Sequence, residues 1–255
     1  HAIGTSSEPG STFKLASIMV ALEDGAIDIN DKVNTRNGTI KYYDRIMRDA
    51  HEGGDGVIPL WKAFALSSNV GISYVINENY KKKQSAFLKG LKLLGLGEKI
   101  GTEIKGEGNP YVKTTADSTW SGISIPWMSI GYETKFTPLQ ILTFYNAVAN
   151  NGVMVKPQFV KEIRDGSRII YKSETEILKK SICSSKTIEN ARFFCRFGHP
   201  KLKDNQSTNC FLYEFPQKNQ EQQTLLARRV YLFFHQRPFR PSYWPHLPWH
   251  VLFHF

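Results

Sequence analysis

A serine and a lysine one helical turn apart are the first residues of the sequence that could act together in catalysis. Ser11 and Lys14 follow Pro9 and Gly10, a pair that favours a sharp turn into a helix. Residues three positions apart lie on one face of a helix. A first-turn hydroxyl lies near the positive end of the helix dipole, and a desolvated lysine can take its proton. The spacing predicts a serine nucleophile with a lysine base; the alternative is an N-cap serine followed by a solvent-exposed lysine.

A second pair of polar residues has complementary chemistry. Ser67 and Asn69 follow an apolar segment whose helical start is predicted at Pro59. The hydroxyl can relay a proton, and the amide can hold a substrate carbonyl. The alternative is a plain loop between helices, and the same Ser-x-Asn pattern recurs at Ser207 and Asn209.

Regular elements must position these residues, and local signals predict several. Apolar residues at helical spacing follow Lys14 and end at Gly25, and another amphipathic helix ends at Gly95. Thr137 and Gln140 form a capping box. Apolar runs on both sides of 165–166 indicate a hairpin.

The composition excludes several classes of protein. The chain has 255 residues, which predicts one or two domains. A hydrophobic content of 41% and charged residues at 22% fit a soluble globular chain rather than a polytopic membrane protein or a disordered one. Three cysteines exclude a disulfide-dense scaffold. The net charge of +10 leaves open a basic module that binds anions or nucleic acid.

Longer segments around both pairs resemble the class B penicillin-binding proteins. Residues 8–14 look like their active-serine segment, and 63–71 resemble their second motif. Residues 129–133 and 137–140 resemble a further family segment, which 151–153 follow as expected. The likeness runs from residue 4 to about 180 and is closest to the septum-building transpeptidases of cell division.

The resemblance implies an α+β domain of the penicillin-binding and serine β-lactamase type. It also implies a D,D-transpeptidase that cross-links peptidoglycan stem peptides. In this role Ser11 attacks the carbonyl of the penultimate D-alanine and forms an acyl-enzyme, Lys14 activates Ser11, and Ser67 relays a proton to the leaving D-alanine. Asn69 would hold the amide of the donor peptide. β-Lactams would acylate Ser11 because they mimic the D-alanyl-D-alanine end, and no metal or organic cofactor is implied.

The resemblance also gives expectations about the parent protein. The chain begins at His1 without a signal-peptide pattern, so we expect a partial chain. The parent would be anchored in the bacterial cytoplasmic membrane, with this domain on the outer side, and would work with cell-division proteins rather than nucleic acid. A β-lactam sensor or a β-lactamase of the same superfamily is the second reading, against which the segments 131–132 and 137–140 argue.

One family motif is missing. No Lys-Thr-Gly or Lys-Ser-Gly occurs in the chain, and the nearest strings begin at Lys113 and Lys186. In the family this motif lies on a strand at the edge of the site, where it binds the substrate carboxylate. The family's first strands should also precede Ser11. We therefore expect the helical part of the domain without most of its antiparallel sheet, with Ile18 and Leu22 partly uncovered, and an inactive, weakly stable isolated chain.

The composition changes near the point where the likeness fades. Residues 191–255 hold 15 aromatic side chains against 17 in 1–190, and of 19 glycines only Gly198 lies there. Their net charge is +6, against +4 for 1–190. We therefore predict a partial transpeptidase domain over 1–190 and an atypical tail over 191–255, either out of frame or disordered. The alternative is a genuine lineage-specific tail. A parent nucleotide sequence without Lys-Thr-Gly in any frame would refute the frameshift.

Overall fold

The computed structural model describes residues 1–197 of the chain. A 3₁₀ turn over Gly10–Phe13 leads directly into the first helix. The helices are α1 (Lys14–Glu23), α2 (Leu60–Ala65), α3 (Asn69–Tyr80), α4 (Gln84–Leu93), α5 (Ser124–Met128), α6 (Pro138–Ala149) and α7 (Ser185–Phe197). The strands are β1 (Lys32–Asn34), β2 (Thr39–Tyr42), β3 (Arg45–Arg48), β4 (Val57–Pro59), β5 (Tyr111–Val112), β6 (Thr134–Lys135), β7 (Met154–Val155), β8 (Glu162–Asp165), β9 (Arg168–Lys172) and β10 (Ile177–Lys179). None of the helices in this part of the chain is long and apolar enough to cross a membrane.

The strands form only short antiparallel pairs. The pairs are β1 with β4, β2 with β3, β5 with β6, β7 with β10, and β8 with β9. Within residues 1–197 no strand has neighbours on both sides, so no larger sheet is present. Helices therefore make up most of the regular secondary structure over residues 1–197, as the sequence predicted.

Helix α1 lies in the middle of the core. Its first eight residues, 14–21, are all buried, and the helix packs against α3, α4 and α7. The expectation that the missing sheet leaves this helix uncovered is wrong for Ile18, which is 1% exposed, whereas Leu22 is half-buried. The reason is that helices cover α1: Ile188 and Phe194 of α7 belong to the same core cluster.

The helix ends follow the local signals. At Gly25, which has φ +64°, the amides of residues 25 and 26 bond back to Leu22 and Ala21, which is the Schellman arrangement that glycine favours. The capping box is confirmed, since the Thr137 hydroxyl accepts from the Gln140 amide and the Gln140 side chain accepts from the Thr137 amide. The hairpin is also confirmed, as β8 and β9 flank residues 166–167.

The last described helix crosses the predicted boundary between residues 190 and 191. Helix α7 continues to Phe197, and its Ala191 and Phe194 are buried in the core. The rest of the predicted tail, including the second Ser-x-Asn pattern at Ser207 and Asn209, lies outside the described residues. The division of the chain at residue 190 stays a prediction.

Candidate active site

Ser11 lies in the 3₁₀ turn that precedes α1. Gly10 enters this turn with φ +57°, in the left-handed region, so the chain bends sharply just before the serine. The backbone carbonyl of Ser11 accepts the amide of Lys14, which makes the turn and the helix continuous. The side chain of Ser11 is exposed, and its hydroxyl has no hydrogen-bond partner among residues 1–197. It is therefore free to react with a molecule that enters from solvent.

Lys14 is buried, with 1% of its surface exposed. Its Nζ donates to the backbone carbonyl of Ser67 at 2.5 Å and to the Ser67 hydroxyl at 3.0 Å. The alternative of a solvent-exposed lysine is therefore wrong. Burial lowers the pKa of Lys14 from 10.5 to about 7, because the ammonium loses its hydration, while the negative charge of Asp49 acts in the opposite direction.

These contacts suit Lys14 to accept a proton. A neutral amine has two N–H groups and one lone pair, and both oxygens of Ser67 stand where they accept the N–H groups. The lone pair remains for a third partner. With a pKa of about 7, a large fraction of the amine is neutral at neutral pH, which is the condition for a general base.

Ser67 owes its position to the end of α2. The amide of Ser67 bonds to the carbonyl of Phe64 and the amide of Ser68 to that of Ala63, so α2 ends in a Schellman motif with Ser67 in the glycine position. Its φ is +54°, a conformation that costs a non-glycine residue about 1 kcal/mol or more. A glycine here would have no hydroxyl to contact Lys14. The strain at Ser67 thus accompanies a hydroxyl that contacts Lys14.

Asn69 is the first residue of α3, two positions after Ser67. Its Nδ2 donates to the carbonyl of Arg48 at 2.8 Å. One N–H of that amide and the Oδ1 atom have no partner within the described part of the chain. The structure thus brings Lys14 and Ser67 into direct contact, with Ser11 one turn before Lys14, whereas Asn69 makes no hydrogen bond to the other three.

Comparison with known proteins places this chain in a family. The family described as "Penicillin binding protein transpeptidase domain" matches residues 1–193. The chain belongs to this family. The match ends within α7, beyond residue 180, to which the sequence likeness extends.

The relatives are penicillin-binding proteins. PbpB of Mycobacterium tuberculosis is 30% identical over 169 residues, which are 66% of this chain and 24% of that protein. Stage V sporulation protein D of Bacillus subtilis is 25% identical over 187 residues, which are 73% of this chain and 28% of that protein. The predicted class B membership is confirmed. The chain spans about a quarter of the length of these curated relatives.

Solved structures show the same fold. Penicillin-binding protein 3 of M. tuberculosis is 26% identical with a TM-score of 0.63, covering 76% of this chain and 42% of that one. That protein has also been solved with aztreonam and with ampicillin. The transpeptidase domain of penicillin-binding protein 3 of Burkholderia pseudomallei has a TM-score of 0.62 at 21% identity, covering 77% and 54%. The predicted α+β transpeptidase fold is confirmed.

Sequence reasoning missed the residues that hold the Ser11 turn in this transpeptidase domain. The hydroxyl of Tyr145 donates to the carbonyl of Thr12 at 2.8 Å, and the buried hydroxyl of Ser17 donates to that of Ser129 at 2.9 Å. The amide of Gly10 donates to the carbonyl of Gly131 at 3.2 Å. These bonds join segments that are far apart in sequence, and only the likeness of 129–133 to a family segment pointed to two of them.

We expect Gly131→Ala to be strongly destabilising. Gly131 has φ +88°, and a Cβ atom there would lie 2.1 Å from the carbonyl oxygen of Gly10, next to Ser11. The strain of the positive φ and the overlap together should lower the free energy of unfolding by at least about 2 kcal/mol. Thermal unfolding of the 255-residue chain measures this. Gly106→Ala is the matched control, because Gly106 has φ +93° and open space around the new Cβ atom. Equal losses in the two variants would contradict the close approach.

The two strings nearest to the missing motif do not replace it. Lys113 is buried, and its ammonium lies 3.0 Å from Oε1 of Glu133. It is therefore already paired with a carboxylate of the same chain. Lys186 lies in the first turn of α7, beside a cavity of about 500 Å³ whose walls include Glu23 and Asp28. Neither lysine is placed on a strand, as the family motif is.

Proposed function

We propose that this chain carries the acylation machinery of a serine D,D-transpeptidase that cross-links peptidoglycan stem peptides. The contact between buried Lys14 and Ser67, one turn after the exposed Ser11, carries the proposal. Ser11 supplies a nucleophile, Lys14 a base with a pKa of about 7, and Ser67 a hydroxyl beside that base. The family match and the penicillin-binding relatives support the same activity.

In the proposed acylation, Ser11 Oγ attacks the carbonyl carbon of the penultimate D-alanine, and its proton moves to Nζ of Lys14. The tetrahedral intermediate collapses as the bond to the terminal D-alanine breaks. The proton passes from Lys14 through the Ser67 hydroxyl to the leaving amine, so the acyl-enzyme is an ester of Ser11. The amine of a second stem peptide then attacks this ester, forms the cross-link and returns the proton to Ser11.

Asn69 would bind the donor peptide beside the ester. One N–H of its side-chain amide is bonded to Arg48, which fixes the orientation of the amide plane. The second N–H can donate to a peptide carbonyl and Oδ1 can accept a peptide N–H. These two groups match the amide of the donor peptide.

The proposal extends to inhibitors and location. β-Lactams would acylate Ser11 because they mimic the D-alanyl-D-alanine end. The parent protein would be anchored in the bacterial cytoplasmic membrane with this domain on its outer side, and would work with cell-division proteins. Family resemblance supports these points, together with relatives named FtsI homologs. No observation favours the β-lactamase or sensor reading, or the basic nucleic-acid-binding module.

Mass spectrometry of the parent protein after incubation with a labelled penicillin tests the proposal. We expect one covalent adduct, on the peptide that contains Ser11. An adduct on another serine would refute the assignment of the nucleophile. The absence of any adduct would refute the proposed function.

The isolated 255-residue chain should be a poor catalyst. The strand that carries Lys-Thr-Gly also contributes an oxyanion donor in the family, and the loss of one such donor typically costs about 10²–10³ in rate. We expect no transpeptidation, and acylation by a chromogenic cephalosporin slower by at least about 10²-fold than that of a transpeptidase with the complete motif. Acylation at the rate of the complete enzyme would show that the missing motif is dispensable or replaced.

A further inference from the structure

Asp49 lies at the point where β3 ends, and its carboxylate reaches the start of α3. Oδ1 accepts from the amide of Val70 at 2.9 Å, and Oδ2 accepts from the hydroxyl of Ser68 at 2.9 Å. The amide of Asp49 donates to the carbonyl of Gly38 at 2.8 Å, which ties the residue to its own hairpin. Asp49 therefore links the β2–β3 hairpin to the first turn of α3.

The neighbouring residue strengthens this link. The carbonyl of Arg48 accepts from Nδ2 of Asn69. Two consecutive residues at the end of β3 thus bind three consecutive residues at the start of α3. A carboxylate at the N-terminus of this 12-residue helix is also stabilised by the helix dipole. Arg48 and Asp49 consequently hold Ser68 and Asn69, which directly follow the Ser67 that Lys14 contacts.

The charge of Asp49 has a separate consequence for Lys14. Asp49 binds Ser68, the residue next to Ser67, whose carbonyl and hydroxyl accept from the Lys14 ammonium. Its negative charge therefore acts to raise the pKa of Lys14, in opposition to the effect of burial. In the proposed acylation Lys14 becomes positively charged when it takes the proton of Ser11. A nearby carboxylate stabilises that charge inside a buried site, where Coulomb interactions are stronger than in water.

We propose that Asp49 is a positioning residue of the acylation site, which holds the segment 67–69 against Lys14 and stabilises the charge that Lys14 acquires. This inference rests on the proposed function. It predicts two separable effects, one of geometry and one of charge. Because the carboxylate favours the charged form of the lysine, its loss should lower the pKa of Lys14 further below 7.

Asp49→Asn in the parent protein tests the charge effect. The amide keeps the shape and one oxygen acceptor but removes the charge. We expect the midpoint of the rising limb in the pH profile of penicillin acylation to move down by roughly one unit. Ser68→Ala is the control, because it removes a hydrogen bond to Asp49 and the helix cap but keeps the charge. That variant should have a lower melting temperature but an unchanged midpoint.

An unchanged midpoint in Asp49→Asn, or an equal shift in Ser68→Ala, would overturn the inference. If Asp49→Asn does not fold, Asp49→Glu decides: it keeps the charge and moves the carboxylate. We then expect a wild-type midpoint with about tenfold slower acylation, and a wild-type rate would overturn the geometric part.

A readout without catalysis separates this inference from the proposed function. In denaturant unfolding of the 255-residue chain, the rise of stability with pH that Lys14 causes should begin at lower pH in Asp49→Asn than in the wild type. If the two curves differ in this way but the wild-type parent protein is not acylated by penicillin, the proposed function is refuted and the electrostatic effect of Asp49 on Lys14 is retained. An unshifted curve would refute the charge effect.

Discussion

Ser11→Ala is expected to abolish penicillin labelling of the parent protein while leaving its melting temperature unchanged. The hydroxyl is the proposed nucleophile, so no ester can form without it. Its loss should cost little stability, because the side chain is exposed and its hydroxyl has no hydrogen-bond partner in the described part of the chain. Labelling is measured by gel fluorescence with a fluorescent penicillin, and stability by thermal unfolding.

Ser17→Ala is the matched control for this variant. Ser17 lies in α1, the helix that continues from the turn of Ser11, but it is buried, and its hydroxyl donates to the carbonyl of Ser129. We expect this change to keep labelling and to lower the free energy of unfolding by about 1–3 kcal/mol. Persistent labelling of Ser11→Ala would show that another residue is the nucleophile. A large loss of stability in that variant would mean that Ser11 has a structural role.

Lys14→Met should slow acylation of the parent protein by about 10³-fold. Methionine has a similar length but cannot accept a proton, and general-base catalysis typically contributes about 10²–10⁴. In the wild type the acylation rate should rise as the pH increases through about 7, since only the neutral amine accepts a proton. Stopped-flow measurements with a chromogenic cephalosporin record both effects. Lys62→Met, at an exposed position of α2, should leave the rate and its pH dependence unchanged.

Lys14→Met should also change how the stability of the protein depends on pH. The pKa of Lys14 is lower in the folded protein than in the unfolded chain, so between about pH 7 and 10.5 the unfolded state binds more protons. Burial of the charged ammonium therefore lowers the free energy of unfolding. This destabilisation is fully present below pH 7 and decreases as the pH rises towards 10.5. Denaturant unfolding of the 255-residue chain should show stability rising in this window, and Lys14→Met should lose the rise. An equal rise in Lys14→Met would contradict a lowered pKa at this position.

The ends of the helices could be predicted because they depend on residues that are neighbours in the chain. The left-handed turn at Gly25, the Schellman end at Gly95 and the capping box of Thr137 all arise within a few residues. The spacing of Ser11 and Lys14 is a local property in the same sense. The end of α2 at Ser67 was harder to interpret, because a serine in the left-handed region has no distinctive sequence signal.

The coverage of α1 could not be predicted in this way. The absence of sheet strands suggested exposed apolar residues, but Ile18 is buried in a cluster that also contains Ile188 and Phe194. The amphipathic pattern of a helix shows that one face will be covered but not which element covers it. The ion pair of buried Lys113 with half-buried Glu133 and the contact between Gly10 and Gly131 are of the same kind, because each joins distant segments.

By itself the sequence determined which reactive residues are present, their order along the chain, the helix starting beside Ser11, and the likeness to penicillin-binding transpeptidases. Only the tertiary structure decided that Lys14 is buried against Ser67, 53 residues away, and that Asp49 binds Ser68, 19 residues away. The spacing of residues in the sequence determines which side chains can act together within one helical turn. Desolvation lowers the pKa of Lys14, and the negative charge of Asp49 opposes that change. Both effects depend on segments that meet only when the chain has folded.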